Sequence, residues 1–332
     1  MLPFWTIGPF DKLDDANPVL WPQKRLPFVC PMRNAPVYWE ENDVFNPAAI
    51  VHKGKIVLLY RAEDKFVEGK RTSRIGYAES SDGLVFTRRK EPVLYPDANN
   101  KDLEWEGGCE DPRVVKAPDG TFVMTYTAWD RKTARLCTAT SKDLLNWTKH
   151  GSAFVDGTRD VWSKSGAIVV KRKGSQLVAT KVNGRYWMYY GESDVFAASS
   201  GDLIHWRHEG TVFKPRPGRF DSQLVEPGPP ALLTKSGIVL IYNCRNNSDP
   251  SLAEGTYAPG QILLDAKNPM RVLDRTDAPF MKPDRSYEVE GQVNHVCFVE
   301  GLVPFKGKWF LYYGTADSKI AVATAPLAPE GS

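Results

Sequence analysis

Asp111-Pro112-Arg113-Val114-Val115, a turn at Asp119-Gly120, then Phe122-Val123-Met124-Thr125-Tyr126-Thr127-Ala128: the plan of this stretch decides the fold, because it recurs four more times along the chain. Phe45-Asn46-Pro47-Ala48-Ala49-Ile50-Val51 is followed by Gly54 and Ile56-Val57-Leu58-Leu59-Tyr60-Arg61-Ala62. Ser165-Gly166-Ala167-Ile168-Val169-Val170 leads, after Asn183-Gly184, to Tyr186-Trp187-Met188-Tyr189-Tyr190-Gly191. Pro230-Ala231-Leu232-Leu233 turns at Ser236-Gly237 into Ile238-Val239-Leu240-Ile241-Tyr242-Asn243, and Cys297-Phe298-Val299 with Gly301-Leu302-Val303 turns at Lys306-Gly307 into Trp309-Phe310-Leu311-Tyr312-Tyr313-Gly314. Each unit reads as a β-hairpin whose X-Gly dipeptide supplies a tight turn.

A third strand follows in most units, as in Arg74–Ala78, Arg135–Ala139, Asp194–Ala198 and Lys319–Ala323. A Ser/Asp turn then delivers an aromatic into a fourth strand: Ser81-Asp82-Gly83 before Phe86, Ser141-Lys142-Asp143 before Trp147, Ser200-Gly201-Asp202 before Trp206. Four short strands, repeated at intervals of roughly 50–70 residues, predict propeller blades. The expectation is an all-β chain, residues 1–332 forming a single five-bladed β-propeller, in which residues 5–45 supply an outer strand to the last blade. No βαβ rhythm competes; a two-domain β-sandwich is the alternative architecture.

Composition narrows the function classes. With 43 basic and 40 acidic side chains and a net charge of +3, the chain lacks the basic excess of a nucleic-acid or membrane binder. Ten Trp, 13 Tyr and 15 Phe suit platforms for the apolar faces of sugar rings. The five cysteines, Cys30, Cys109, Cys137, Cys244 and Cys297, include no CxxC spacing, which argues against a disulfide scaffold or a zinc cluster. No signal-like start or apolar run of membrane-spanning length is present, so the expectation is a soluble protein, cytoplasmic, or periplasmic if an export signal has been removed. Oligomeric state is left open.

Chemistry concentrates at Gly107-Gly108-Cys109-Glu110-Asp111-Pro112-Arg113, two acids and a base at the mouth of a strand. Pro112 is expected to hold Asp111 extended, and Arg113 to pair with Glu110 or with an acid on a neighbouring strand. In a propeller, equivalent strand ends converge on one funnel, which gathers Asn46 and Arg61, Asp111 and Arg113, Glu192, Glu226 and Asp317. Singly, Asp317 reads equally well as a turn acid and Glu226 as a cap on the Pro227–Pro230 turn; the set points to a site. Several carboxyls facing a funnel suit glycoside cleavage, where one carboxyl assists the leaving oxygen and another activates water. The histidines, His52, His150, His205, His208 and His295, form no HExxH or close cluster, and neither a P-loop nor a Gly-x-Ser-x-Gly elbow occurs. No metal or cofactor is expected.

Phe45-Asn46-Pro47-Ala48, Leu59-Tyr60-Arg61-Ala62, Glu110-Asp111-Pro112-Arg113, Asp202-Leu203-Ile204-His205-Trp206, Pro227-Gly228-Pro229-Pro230 and Tyr312-Tyr313-Gly314-Thr315-Ala316-Asp317 together resemble glycoside hydrolase family 130, over residues 5–328. The resemblance implies a five-bladed propeller acting on β-mannosides with inversion, either as a phosphorylase or as a hydrolase of β-1,2 linkages. It implies that Asp111 is the general acid, working through a mannose hydroxyl, that Asn46, Arg61 and Asp317 hold the mannosyl unit, and that Arg113 orients Asp111 or a sugar hydroxyl.

Two departures choose between the subdivisions. Where the family's phosphorylases carry an Arg and a His for phosphate, this chain is similar in position at Glu192 and Asn243, and Glu226 heads the Pro-Pro approach. Two carboxylates would repel a dianion, while water gains a base. The expectation is therefore an inverting β-1,2-mannosidase with Asp111, Glu192 and Glu226 catalytic, and Asn46, Arg61, Arg113, Asp317, Tyr242 and Asn243 touching a β-mannoside oligosaccharide. Glu192 and Glu226 are not distinguished as base. The alternatives are a phosphorylase, with Arg113, Lys181, Arg185 or a further base holding phosphate, and a non-catalytic mannoside-binding propeller. Residues 63–72 and 246–260 are expected to build the rim.

Overall fold

The computed structural model describes residues 2–65, 70–155 and 161–327. The protein is nearly all β: among the described residues the α-helices are two single turns, Lys101–Glu104 and Ser286–Val289. None is long and apolar enough to cross a membrane. All five cysteines are buried and free of disulfides.

The strands assort into successive antiparallel sheets. The first comprises Asp43–His52, Lys55–Glu63, Ser73–Ser80 and Thr87–Arg88. The second comprises Gly108–Lys116, Phe122–Trp129, Ala134–Ser141 and Trp147–Ser152. In the third, Ala167–Lys173 pairs with Arg185–Tyr190 through Ala167 and Ile168 alone, and Val195–Ser200 and Trp206–Phe213 follow. The fourth runs Leu224–Pro227 and Ala231–Leu233, Ile238–Arg245, Tyr257–Leu264, Val272–Arg275. The fifth is Cys297–Phe305, Lys308–Thr315, Lys319–Pro326, and its outermost strand is Asp11–Lys12 from the start of the chain.

Apolar side chains fill the spaces between neighbouring sheets: Leu59 with Val114 and Met124, Leu58 with Val303 and Tyr312, Val169 with Tyr189 and Leu240. Second strands are covered on both faces, which is why Ile56–Tyr60 and Ile238–Tyr242 read as unbroken apolar runs rather than as an alternation. The third unit departs from the plan. Its first strand continues into an extra hairpin with Gln176–Ala179, whose Val178 pairs with Lys116 while Val169 pairs with Ala231. This hairpin ties together the far ends of first strands from the second and fourth sheets.

A side-chain device recurs with the strands. In four of the five sheets the tyrosine near the end of the second strand donates to a buried acid that precedes the sheet, and a base on the fourth strand neutralises that acid. Tyr60 donates to Glu40 at 2.9 Å with Arg88 at 3.2 Å; Tyr126 donates to Glu104 at 2.8 Å with Lys149 at 2.6 Å. Tyr242 donates to Asp221 at 2.8 Å, which pairs with Arg275 and Arg216. Tyr313 donates to Glu288 at 2.8 Å, and Lys12 stands 2.6 Å from the same carboxylate. In the third sheet Tyr190 bonds His208 on the fourth strand directly, at 2.7 Å. A buried acid is tolerable only when it is hydrogen-bonded and paired, so each triad fixes the spacing between second and fourth strands.

Candidate active site

The site starts from irregularities at the leading ends of first strands. The ladder of the first sheet slips between Phe45 and Pro47 and leaves Asn46 unpaired at φ 46°. That of the second slips between Glu110 and Arg113 and leaves Asp111 at φ 48°. The extended geometry expected of Asp111 before Pro112 is thus corrected: it sits in the left-handed region, because a bulge turns the residue out of the ladder and aims its side chain off the sheet. Gly314 makes the space, since a Cβ there would stand 2.3 Å from Asn46 Oδ1. Asp317 reaches the same place from the turn between Lys308–Thr315 and Lys319–Pro326, where Ala316 and Asp317 both have positive φ, 46° and 49°.

These elements bound a pocket of about 110 Å³, lined by Asn46, Arg61, Asp111, Lys164, Glu192, Glu226 and Asp317 with an apolar wall that includes Tyr257 and Phe298. Asp111 Oδ1 accepts from Asn46 Nδ2 at 3.0 Å and from Arg61 Nη1 at 3.2 Å. Arg61 Nη2 donates to Glu63 at 2.8 Å and Glu110 at 2.9 Å, and the guanidinium lies 4.7 Å over the Phe45 ring. Across the pocket, Lys164 Nζ stands 3.6 Å from Glu192 Oε1 and 3.9 Å from Glu226 Oε1. Ser165 donates to Glu226, and Trp162 Nε1 donates to Glu192 Oε2 at 2.9 Å.

The charges divide the carboxyls into two sorts. Burial pushes Asp111 up, but Arg61, Lys164, Arg113 and the Asn46 bond outweigh it and hold the group at about 2. Burial dominates at Glu110, where repulsion from Asp111 adds to it against the pull of Arg61, and raises the carboxyl to about 7. Asp317 is likewise raised to about 7, by burial and then by Asp111 and Glu63, against Arg61. Glu226 is raised by burial, with Glu192 adding to it and Lys164 opposing. Burial disfavours the charge on Lys164, yet Glu226, Glu192, Asp111 and Glu110 together hold it protonated.

Asn46, Arg61, Asp111, Glu192, Glu226 and Asp317 are brought together as expected; Tyr242, Asn243 and Arg113 do not line the pocket. Tyr242 is fully buried, and its hydroxyl serves the Asp221 triad. Asn243 is also fully buried and clips the fourth sheet to the fifth: its amide donates to Val299 O at 3.0 Å, and its carbonyl accepts from Val299 N at 2.7 Å. Arg113 lies beneath the pocket, bonded to the Asp111 carbonyl at 3.0 Å. It pairs with Glu300 of the fifth sheet, while Glu110 pairs with Arg61. Lys181 and Arg185 lie elsewhere, against Tyr186 and Ser199. Of the expected rim, residues 246–260 bring Tyr257 to the pocket wall, whereas residues 66–69 of the 63–72 segment lie outside the described residues.

Lys164 is a site residue that the sequence reading does not single out, while Glu110, read only as a partner for Arg113, sits beside the pocket paired with Arg61. Lys164 directly precedes Ser165-Gly166, the start of the third unit, as Glu110 precedes Asp111; the repeat itself carried the signal. A larger groove of about 650 Å³, lined by Phe10, Leu252, Phe280 and Met281 with Lys12, Asp284 and Arg285, lacks such converging acids.

A model of glycoside hydrolase family 130, described as β-1,4-mannooligosaccharide phosphorylase, matches residues 11–328. The chain is 35% identical to a 1,2-β-oligomannan phosphorylase of Thermoanaerobacter sp. (strain X514), over 86% of this chain and 90% of that one. It superposes at TM-score 0.96 and 47% identity, covering 98% of this chain and 97% of the other, on a glycosyl hydrolase from Bacteroides ovatus. A further solved structure, at TM-score 0.96 and 47% identity over 100% of this chain and 99% of that one, is described as showing that the GH130 family of mannoside phosphorylases contains glycoside hydrolases that target β-1,2 mannosidic linkages in Candida mannan. With the match running through every sheet that contributes to the pocket, the chain belongs to glycoside hydrolase family 130.

Proposed function

We propose that this protein is an inverting hydrolase that releases mannose from the end of β-1,2-linked mannosides, and that its five sheets are the blades of one propeller domain. Supporting the architecture, side chains from all five sheets or their flanking turns meet at the one pocket: Asn46, Asp111, Glu192, Glu226 and Asp317. Supporting hydrolysis, one observation carries most weight: Lys164 is matched by two carboxylates, Glu192 and Glu226, within 3.9 Å. A phosphate dianion seated there meets each acid at a cost of about 4 kcal/mol per unit charge at 4 Å and an effective dielectric of about 20. Water meets no such penalty and finds a base.

In this reading Asn46, Arg61 and Asp317 hold the terminal mannosyl ring. Asp111, ionised, relays a proton: as a sugar hydroxyl takes one from it toward the leaving oxygen, it takes one up from Glu110 or Asp317, whose carboxyls are raised to about 7 and so still partly protonated at neutral pH. Glu192 and Glu226 orient and deprotonate the attacking water. Lys164, 3.6 and 3.9 Å from them, holds the two side chains in register and opposes the burial that raises Glu226.

Phosphorolysis to mannose 1-phosphate is the second reading, and the curated relatives named as phosphorylases favour it over hydrolysis. The small pocket and the β-1,2 linkage are common to both. Linkage is tested by comparing β-1,2- with β-1,4-mannobiose and following the first product by proton NMR. Faster cleavage of the β-1,2 disaccharide, with α-configured product appearing first, is expected; equal rates on the two, or a β-configured first product, contradict the assignment.

A further inference from the structure

We propose that Arg113 and Glu300 are a buried positioning pair that fixes the Asp111 strand against the Glu226 strand, a role that rests on the reading of those two acids given above. Arg113 spans two sheets with one guanidinium. Nη1 donates to the Asp111 carbonyl at 3.0 Å, Nη2 to the Pro227 carbonyl at 2.8 Å and Nε to the Gly228 carbonyl at 3.1 Å. Pro227 directly follows Glu226, so the same side chain holds the residue aimed at the leaving oxygen and the backbone next to the residue aimed at water.

Local chemistry explains why an arginine is needed. The bulge that projects Asp111 leaves it out of the ladder, since the register jumps from Glu110 to Arg113, and buried carbonyls need partners. Asp111 is also held at φ 48°, a conformation that a non-glycine residue keeps only when its surroundings impose it. Arg113, pulling on the Asp111 carbonyl, is such a surrounding. A planar fork with five donors can serve three carbonyls from two strands; an ammonium on a single stem cannot.

Glu300 completes the device. It occupies the slip in the ladder of the fifth sheet, between Val299 and Gly301, and its Oε1 lies 3.0 Å from Arg113 Nη1. Both side chains are buried, 1% and 0% exposed. Ion pairs so deep are seldom the most stable way to fill a core, and an apolar pair of similar volume often does as well or better. What an apolar pair cannot do is hold carbonyls of the second and fourth sheets at a fixed separation.

The test separates stability from positioning. Arg113→Met alone leaves the buried Glu300 carboxyl, already pushed well up by burial against the pull of Arg113, without its partner, and is expected to destabilise the protein. The double variant Arg113→Met/Glu300→Met removes both partners, so its thermal midpoint is expected to recover toward wild type while kcat stays down about 100-fold with KM within about threefold. Arg113→Lys, which keeps a charge opposite Glu300, is expected to lose kcat similarly and decides the matter if the double variant does not fold. Glu300→Gln leaves the three carbonyl bonds intact and is expected to keep kcat within about tenfold of wild type. The proposal is overturned if the folded double variant, or Arg113→Lys, turns over within about threefold of wild type. Asp111→Asn and Glu226→Gln run alongside: activity retained in those shows that the reading of the acids is at fault, whereas activity lost there but kept in the Arg113 variants shows that the tether is.

Discussion

Asp111→Asn is expected to lower kcat by at least ~100-fold while leaving KM nearly unchanged. The amide oxygen still accepts from Asn46 and Arg61, so the pocket keeps its shape; what disappears is a group that can carry a proton. The pH dependence follows from the neighbours. Burial raises Glu110 and Asp317 to about 7; in the proposed mechanism they hold the proton relayed through Asp111 below that pH and lose it above. The wild-type rate is therefore expected to fall on the alkaline side as pH rises through about 7. Steady-state kinetics from pH 5 to 9 check both statements. Asp111→Asn retaining more than a tenth of wild-type kcat, or a wild-type rate still climbing at pH 9, would count against the assignment.

Lys12→Met is expected to cost about 3 kcal/mol or more of stability. Lys12 belongs to the strand that the start of the chain adds to the last sheet, and it faces Glu288, which is fully buried and already accepts from Tyr313. Removing the cation leaves that carboxylate uncompensated and loosens the strand at once. Lys55→Met, which breaks the exposed Lys55–Glu79 pair, is the control and is expected to cost less than about 1 kcal/mol. Urea unfolding midpoints distinguish the two; equal losses would mean that the Lys12 pair contributes no more than a surface contact.

Much of this was legible in the residues because the repeat spells it out. The second strands ending in Tyr60, Tyr126, Tyr190, Tyr242 and Tyr313 lie in corresponding places of successive sheets, and the acids picked by laying the units over one another share a pocket. The errors have physical causes. Asn243 stands in line with Arg61, and Tyr242 beside it with Tyr60, which makes both read as site residues, yet the buried Asp221 claims the tyrosine and the Val299 backbone the asparagine. Both partners lie well away in sequence, so no local pattern announces them. A following proline disfavours helical geometry and so predicts an extended Asp111, but that rule says nothing of the bulge that turns the residue into the left-handed region. Lys164 is hard to read from the sequence because the third unit lacks the acid-Pro pair that marks the second and fourth.

Water or phosphate as the acceptor is the claim on which the rest depends. The most direct measurement is the initial rate on β-1,2-mannobiose across inorganic phosphate concentrations, with free mannose and mannose 1-phosphate quantified separately. With Glu192 and Glu226 facing Lys164, free mannose should form at a rate independent of phosphate and no mannose 1-phosphate should accumulate. A rate that rises with phosphate, and mannose 1-phosphate as the main product, would contradict it.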